Sequence, residues 1–147
     1  MDITWDSEGK WYEKIKAILP LTDYFLPSIA EAKQICGCET PEQVRDFFRD
    51  FGMKALVVKL GEKGCYVTDF VQEQYLETYP TTVVDTTGAG DAFCAGFLAA
   101  IADGEDPFLA AAMGNVAAAA CVSALGAAGG DVNYPDAKEK AKEFYHL

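Results

Sequence analysis

The chain lacks most of the residues on which common site chemistries depend. Its one histidine is His146, at the C-terminal end. That scarcity removes histidine-dependent triads and histidine-ligated zinc from the chemistries to consider. Cations are few as well. Twelve lysines and arginines stand against 23 aspartates and glutamates, for a net charge of −11 and a pI near 4.4. Such a surface offers neither the basic footprint of a duplex-binding protein nor the basic face that an anionic membrane attracts, so neither nucleic acid nor membrane is expected as a partner. No apolar run reaches the ~18 residues of a membrane span, and the most apolar stretch, 92–102, is short and alanine-rich. The first ten residues are polar and acidic, unlike a secretory leader, which together with the cysteine usage predicts a cytoplasmic protein.

Cys-x-x-Cys pairs are also missing. The five cysteines stand at 36, 38, 65, 94 and 121. Cys36-Gly37-Cys38 has no second pair and no histidine beside it, which makes it a poor metal site. The odd count and the apolar surroundings predict reduced, buried thiols. Disorder is excluded by composition: half of the 147 residues are hydrophobic and 12% aromatic, ample for one domain with a core.

Hydrophobic spacing supplies the elements. Residues 1–5 alternate as a strand or its exit. Trp11, Ile15, Ile18 and Leu19 predict a helix over about 8–19, stopped by Pro20. Tyr24-Phe25-Leu26 reads as a buried strand, and 30–36 as a helix ending at Gly37. Thr40, Pro41 and Gln43 form an N-cap, an N1 proline and a capping box ahead of Val44, Phe47, Phe48 and Phe51, which are read as core. The run 55–60 is apolar on both faces, as in a parallel sheet. A turn at 61–64, strands at 65–68, 74–77 and 82–84, helices over 91–104, 107–123 and 136–145, and a glycine-rich loop at 126–130 complete the chain. Strand–helix alternation over the first 60 residues argues for an α/β fold with a mostly parallel sheet flanked by helices. The chain opens on a strand exit with too few strands to close its sheet, and so reads as part of a larger domain.

The chemistry concentrates in Val83-Val84-Asp85-Thr86-Thr87-Gly88-Ala89-Gly90-Asp91-Ala92-Phe93. Here a short apolar strand leads through a Gly-Ala-Gly turn into a helix. N–H groups at a helix N-terminus are unpaired and partly positive, and glycine lets a phosphate approach them closely. The segment 88–91 is therefore an expected anion cradle. A carboxylate inside it, Asp91, competes with phosphate unless it accepts the proton of an attacking hydroxyl. Spacing alone leaves open that Asp91 only caps the first helical turn. No Lys-Ser or Lys-Thr follows the glycines, so this is not a Walker A loop, and no G-x-G-x-x-G fingerprint is present.

The segment 85–93 resembles the C-terminal signature of the ribokinase-like, PfkB carbohydrate kinase family. Three further stretches resemble that family. Residues 26–32 are similar to its Asn-x-x-Glu segment, 58–64 to its strand and Gly-x-x-Gly turn, and 115–127 to its alanine-rich helix and glycine loop beside the nucleotide base. The resemblance implies a three-layer ribokinase-like fold, of which residues 1–147 are the C-terminal, ATP-binding and catalytic portion, with the N-terminal substrate and lid half absent.

The implied activity is phosphoryl transfer from ATP to a hydroxyl of a sugar or nucleoside. By the same resemblance Asp91 is the general base, and Gly88, Ala89 and Gly90 form the anion hole. Lys59, Gly61, Gly64, Asn115 and Gly126 border the nucleotide. Glu31 organises Mg²⁺ through water, while Asp85 and Thr87 lie near a monovalent cation such as K⁺, whose remaining carbonyl ligands would come from around 121–126. One position departs from the pattern: the asparagine of Asn-x-x-Glu is Ser28, whose single hydroxyl would alter the Mg²⁺ network.

Plainer readings stand beside these. Glu31, Lys59 and Lys63 are ordinary solvated positions on a helix or strand end, and Asn115 in an alanine-rich helix packs or bonds locally. The alternative function is a non-catalytic nucleotide-binding or assembly fragment. Self-association, or pairing with a complementary N-terminal fragment, is expected from faces left open at this composition.

Overall fold

A computed structural model describes residues 1–3, 6–127 and 130–147. These divide into two compact units, one of residues 1–61 and 66–75, the other of residues 62–65 and 76–147.

In the first unit the expected helix over 8–19 is shorter. It runs as α1, Trp11–Ile15, and gives way to a 3₁₀ turn at Leu19–Leu21 that contains Pro20. Proline interrupts the backbone ladder at the point where the periodicity alone would have continued. Trp11 and Leu19 remain buried. Strand β1 is Tyr24–Phe25, followed by α2, Ile29–Cys36, and α3, Pro41–Phe48. Thr40 caps α3 through its hydroxyl to the Gln43 N–H, and Gln43 returns the bond, completing the capping box expected from sequence. Residues 1–3 form no strand of their own, although the Met1 carbonyl accepts from the Leu26 N–H at 2.9 Å. Thr4 and Trp5, the rest of that expected strand, lie outside the described residues.

Strands β2, Ala55–Lys59, β3, Cys65–Thr68, and β4, Glu73–Leu76, complete a four-stranded sheet in the order β1-β2-β3-β4. Only β1 and β2 run parallel, with Tyr24 opposite Ala55 and Phe25 opposite Leu56. The sheet is therefore mixed, not mostly parallel. A parallel pair needs a crossover of a dozen or more residues, which α2 and α3 provide between β1 and β2, while the links at 60–64 and 69–72 are far too short for one. Leu56 and Val58 meet Phe25, Ala32, Ile35, Val44 and Phe48 in one buried cluster, which sets α2 and α3 against the sheet. The phenyl ring of Phe48 stands edge-on to Phe25 at 5.1 Å.

The second unit is built on α4, Ala89–Ala102, α5, Pro107–Val122, and α6, Tyr134–Tyr145. Small residues bring α4 and α5 together: a Cβ at Gly96 would stand 2.8 Å from the Ala117 Cβ, and one at Gly114 would stand 3.0 Å from the Phe93 ring. Asp106 and Asn133 cap α5 and α6 with their side chains. The strand expected at 82–84 is not formed. Val83 and Val84 are mostly exposed, with no neighbouring strand among the described residues, and the Val84 and Asp85 N–H groups both donate to the Val122 carbonyl at the end of α5. The loop expected at 126–130 includes Ala128 and Gly129, which lie outside the described residues.

Candidate active site

Asp85 organises the start of the site. Its Oδ1 accepts from the Thr87 N–H and its Oδ2 from the Gly126 N–H, each at 2.9 Å. One carboxylate thus holds the 85–88 turn to the 123–127 loop. The Thr87 N–H foremost, then its hydroxyl and the Gly126 N–H, hold the Asp85 carboxyl below the ordinary aspartate value of 3.8. A depressed folded-state pKa gives a tie that is fully present above the ordinary carboxylate range and is lost as pH falls below it. We expect the Gly126 amide to exchange with solvent faster in Asp85→Asn than in the parent at pH 7, because the new NH₂ group faces an N–H donor. In acid the two proteins should converge. Equal protection at neutral pH would show that the tie holds nothing.

Gly88 follows as the N-cap of α4, in the left-handed region at φ 79°. A Cβ there would lie 2.5 Å from the Ala127 carbonyl oxygen. The position thus demands glycine on two counts. The left-handed residue is Gly88, while Gly90 is already inside α4. The helix begins at Ala89, two residues earlier than the spacing suggests, and no side chain caps it. The Ala89 N–H donates weakly to the Thr86 carbonyl at 3.3 Å, and among the described residues nothing accepts from the N–H of Gly90 or Asp91. Asp91 is exposed on this same first turn and borders a cavity of about 500 Å³, whose other lining includes Ala95, Met113, Asp131 and Asn133. The Cys121 thiol lies beside the turn, 3.5 Å from the Thr87 carbonyl and 3.3 Å from the Ala127 carbonyl.

The remaining expected site residues divide between the two units. In the first, Glu31 is the third residue of α2. Its Oε2 accepts from both the N–H and the hydroxyl of Ser28, each at 2.7 Å, and Ser28 caps the helix in return. No described hydrogen bond uses Oε1. Lys59 pairs with Asp2 at 2.8 Å, and Gly61 opens the 3₁₀ turn that follows β2. In the second unit Gly64 passes so close to the end of β4 that a Cβ would lie 1.9 Å from the Leu76 carbonyl oxygen. Its glycine is explained by backbone crossing. Asn115 is buried, and its amide donates to the Glu77 carbonyl at 3.1 Å, which also accepts from the Tyr145 hydroxyl. The bond is long-range, joining residues 38 apart, and is not the local one weighed against base binding. No cluster of three or more His, Cys, Asp or Glu that could hold a metal occurs among the described residues.

Residues 1–132 match the model of the pfkB family of carbohydrate kinases. The chain belongs to that family. Among curated pfkB-type relatives, the 2-dehydro-3-deoxygluconokinase of Bacillus subtilis is 33% identical over 141 residues, covering 95% of this chain and 42% of the relative. A putative ribokinase II from E. coli, solved in complex with ATP and Mg²⁺, superposes with a TM-score of 0.82 at 27% identity, over 97% of this chain and 47% of that one. A fructokinase double mutant from Vibrio cholerae, solved with fructose, ADP and a potassium ion, gives a TM-score of 0.75 at 25% identity, over 84% and 42%. The chain thus spans under half the length of each, and its fold is ribokinase-like.

Two features of this family member escape a sequence reading. Ser28-Ile29-Ala30-Glu31 carries the S-x-x-E signature of a capping box, so the helix start at 29 was available in the spacing. Read only as an altered Asn-x-x-Glu, it conceals that Ser28 and Glu31 bond each other. The Cys121 contact had no signal, since it joins residues 34 apart through a single thiol.

Proposed function

We propose that the protein transfers the γ-phosphoryl group of ATP to a hydroxyl of a sugar or nucleoside, with residues 1–147 acting as the ATP-binding and catalytic portion of a ribokinase-like domain. The observation that carries this reading is the uncapped start of α4, where the N–H groups of Gly90 and Asp91, which have no partner among the described residues, share one turn with the Asp91 carboxylate. The N–H groups face negative charge with the helix dipole behind them. Asp91 accepts the acceptor hydroxyl's proton as its oxygen attacks. Gly88 supplies the backbone bend that admits a phosphate, and Asp85 fixes that bend to the 126 loop.

The residues present fit the groups this chemistry uses. Mg²⁺, when bound, neutralises phosphate charge. Glu31 is the residue proposed to hold its waters, through the Oε1 that Ser28 leaves unused. The Thr87 and Ala127 carbonyls, brought together at Cys121, suit a monovalent cation such as K⁺, and the Asp85 oxygens retain lone pairs beyond their two N–H bonds. Lys59, Gly61, Gly64 and Gly126 are proposed on the nucleotide side.

A second reading, a nucleotide-binding assembly module without turnover, is favoured by the exposure of Val83, Val84 and Leu125 in the second unit. Self-association or a complementary N-terminal fragment would cover them. No helix among the described residues is long and apolar enough to cross a membrane.

A screen for ADP release by the whole protein, against a panel of sugars and nucleosides with Mg²⁺, separates the two. Acceptor-dependent release is the expected result. Nucleotide binding without release against any acceptor would favour the assembly module. Repeating the active pair with and without K⁺ tests the cation.

A further inference from the structure

The cysteine pair that the kinase reading leaves unused holds the two cysteines that are not buried. Cys65, Cys94 and Cys121 are buried, and burial pushes the Cys65 thiol up to about 12. Cys36 and Cys38 are half-buried on either side of an exposed Gly37. They are paired as a disulfide, which corrects the expectation of five reduced thiols. The reason is local. Side chains two apart on an extended strand share a face but sit too far apart to bond, and two apart on a helix they diverge. Gly37 ends α2 in the left-handed region at φ 69°, folding the chain back so that the two Cα atoms stand 5.2 Å apart. That separation lies within the range a disulfide spans.

The dithiol form is also provided for. The Cys36 sulfur lies 3.1 Å from the Ala32 carbonyl and the Cys38 sulfur 3.6 Å from the Gln43 carbonyl, each an acceptor for a thiol proton. Gln43 is the residue that closes the α3 capping box, and its side chain also accepts from the Glu39 N–H. The pair therefore sits where the last turn of α2 meets the first turn of α3, with partners for the sulfurs in either state.

We propose that Cys36-Gly37-Cys38 is a reversible dithiol–disulfide site that exchanges with small-molecule disulfides and thiols. One cysteine thiolate attacks a sulfur of the external disulfide RSSR. That S–S bond breaks, one RS⁻ leaves and takes up the proton lost by the cysteine, and a mixed disulfide remains. The second cysteine thiolate attacks the protein-side sulfur, forms the Cys36–Cys38 bond and expels the other RS⁻, which takes the second proton. The two cysteines are oxidised, RSSR is reduced to two RSH, and excess thiol runs the sequence backward. Closure ties the end of α2 to the segment that starts α3.

The test treats the folded, reduced whole protein with glutathione disulfide and follows it by mass spectrometry. Trypsin, cutting after Lys33 and Arg45, releases residues 34–45 as one peptide holding both cysteines. The expected result is that this peptide loses two hydrogens and carries no glutathione, that peptides with Cys65, Cys94 and Cys121 keep their thiols, and that dithiothreitol restores the starting mass. Cys36→Ser and Cys38→Ser should each stop at a stable glutathione adduct, because the second thiol is missing. A persistent adduct on the parent peptide, an unreacted peptide 34–45, or closure that survives Cys36→Ser would each overturn the proposal. Urea-unfolded protein, in which all five thiols should react, confirms that the reagent is active.

Discussion

Replacing Asp91 with asparagine in the whole protein is expected to lower acceptor-dependent turnover by ~10²–10⁴-fold, the range that general-base catalysis supplies, while nucleotide affinity stays near the parent value. The substitution keeps shape and removes a proton acceptor. Asp91 is exposed at the first turn of α4, and none of the described hydrogen bonds uses its carboxylate. Its amide counterpart should therefore leave the helix start and the fold intact. The loss should fall on kcat more than on KM, since the proton moves only as the bond to phosphorus forms. A kcat within a few-fold of the parent would remove Asp91 from the role of base and return it to the plainer one of charging a helix N-terminus. Removing a negative charge from the cradle should, if anything, strengthen phosphate binding. Weaker nucleotide binding in the variant would then point to a structural defect.

The second large effect is expected at Gly88. Gly88→Val places a β-branched residue at φ 79°, a backbone state that costs an L-residue about 1–2 kcal/mol. It also drives a Cβ to within 2.5 Å of the Ala127 carbonyl oxygen and 2.8 Å of the Ala127 Cβ. Neither atom is the end of a flexible side chain, so the 123–127 loop must move, and with it the Gly126 N–H that Asp85 holds. At about 2–4 °C per kcal/mol for a chain of this size, the backbone term alone lowers the melting temperature by ~4 °C, and the clash adds to it. ATP affinity by calorimetry should fall together with stability. A variant that melts like the parent and binds ATP unchanged would mean that neither the turn nor the loop contributes to the site.

The elements readable from sequence were those governed by local rules. Thr40, Pro41 and Gln43 marked the start of α3, Gly37 the end of α2, and the run 55–60 a strand buried on both faces, which forms over Ala55–Lys59. Where long-range partners decide the outcome, the reading failed. Val83 and Val84 have strand composition, yet a strand requires a neighbour to pair with, and none is present among the described residues. The apolar run did pair parallel with β1, but strand–helix alternation over the first 60 residues was extended to the whole sheet, which is mixed. The link lengths at 60–64 and 69–72 carried the information that the run did not. In the candidate site, the 85–91 signature marked the turn that leads into α4, while the bonds of Asp85 to two backbone amides and of Asn115 to the Glu77 carbonyl join residues as far as 41 and 38 apart and left no periodic trace.

Four helices of this chain, α2, α3, α5 and α6, have a side chain seated on their first amides, and α4 begins on a bare glycine. A Ser, Thr, Asp or Asn cap is worth typically about 1 kcal/mol over alanine, and glycine retains much of that without supplying a partner for the amides. The unfilled position is thus a small, permanent deficit in the folded state, located where the proposed anion would make the missing bonds. Occupancy and folding become linked quantities: any anion that binds only the folded chain raises its stability by mass action, by ~2.7 kcal/mol at a hundredfold excess over its Kd. A protein of net charge −11 repels anions over most of its surface, so this stabilisation is reserved for a ligand whose local contacts at the α4 terminus outweigh the long-range field. On the proposed reading, nucleotide supply would set not only how often such a chain turns over but how long it stays folded.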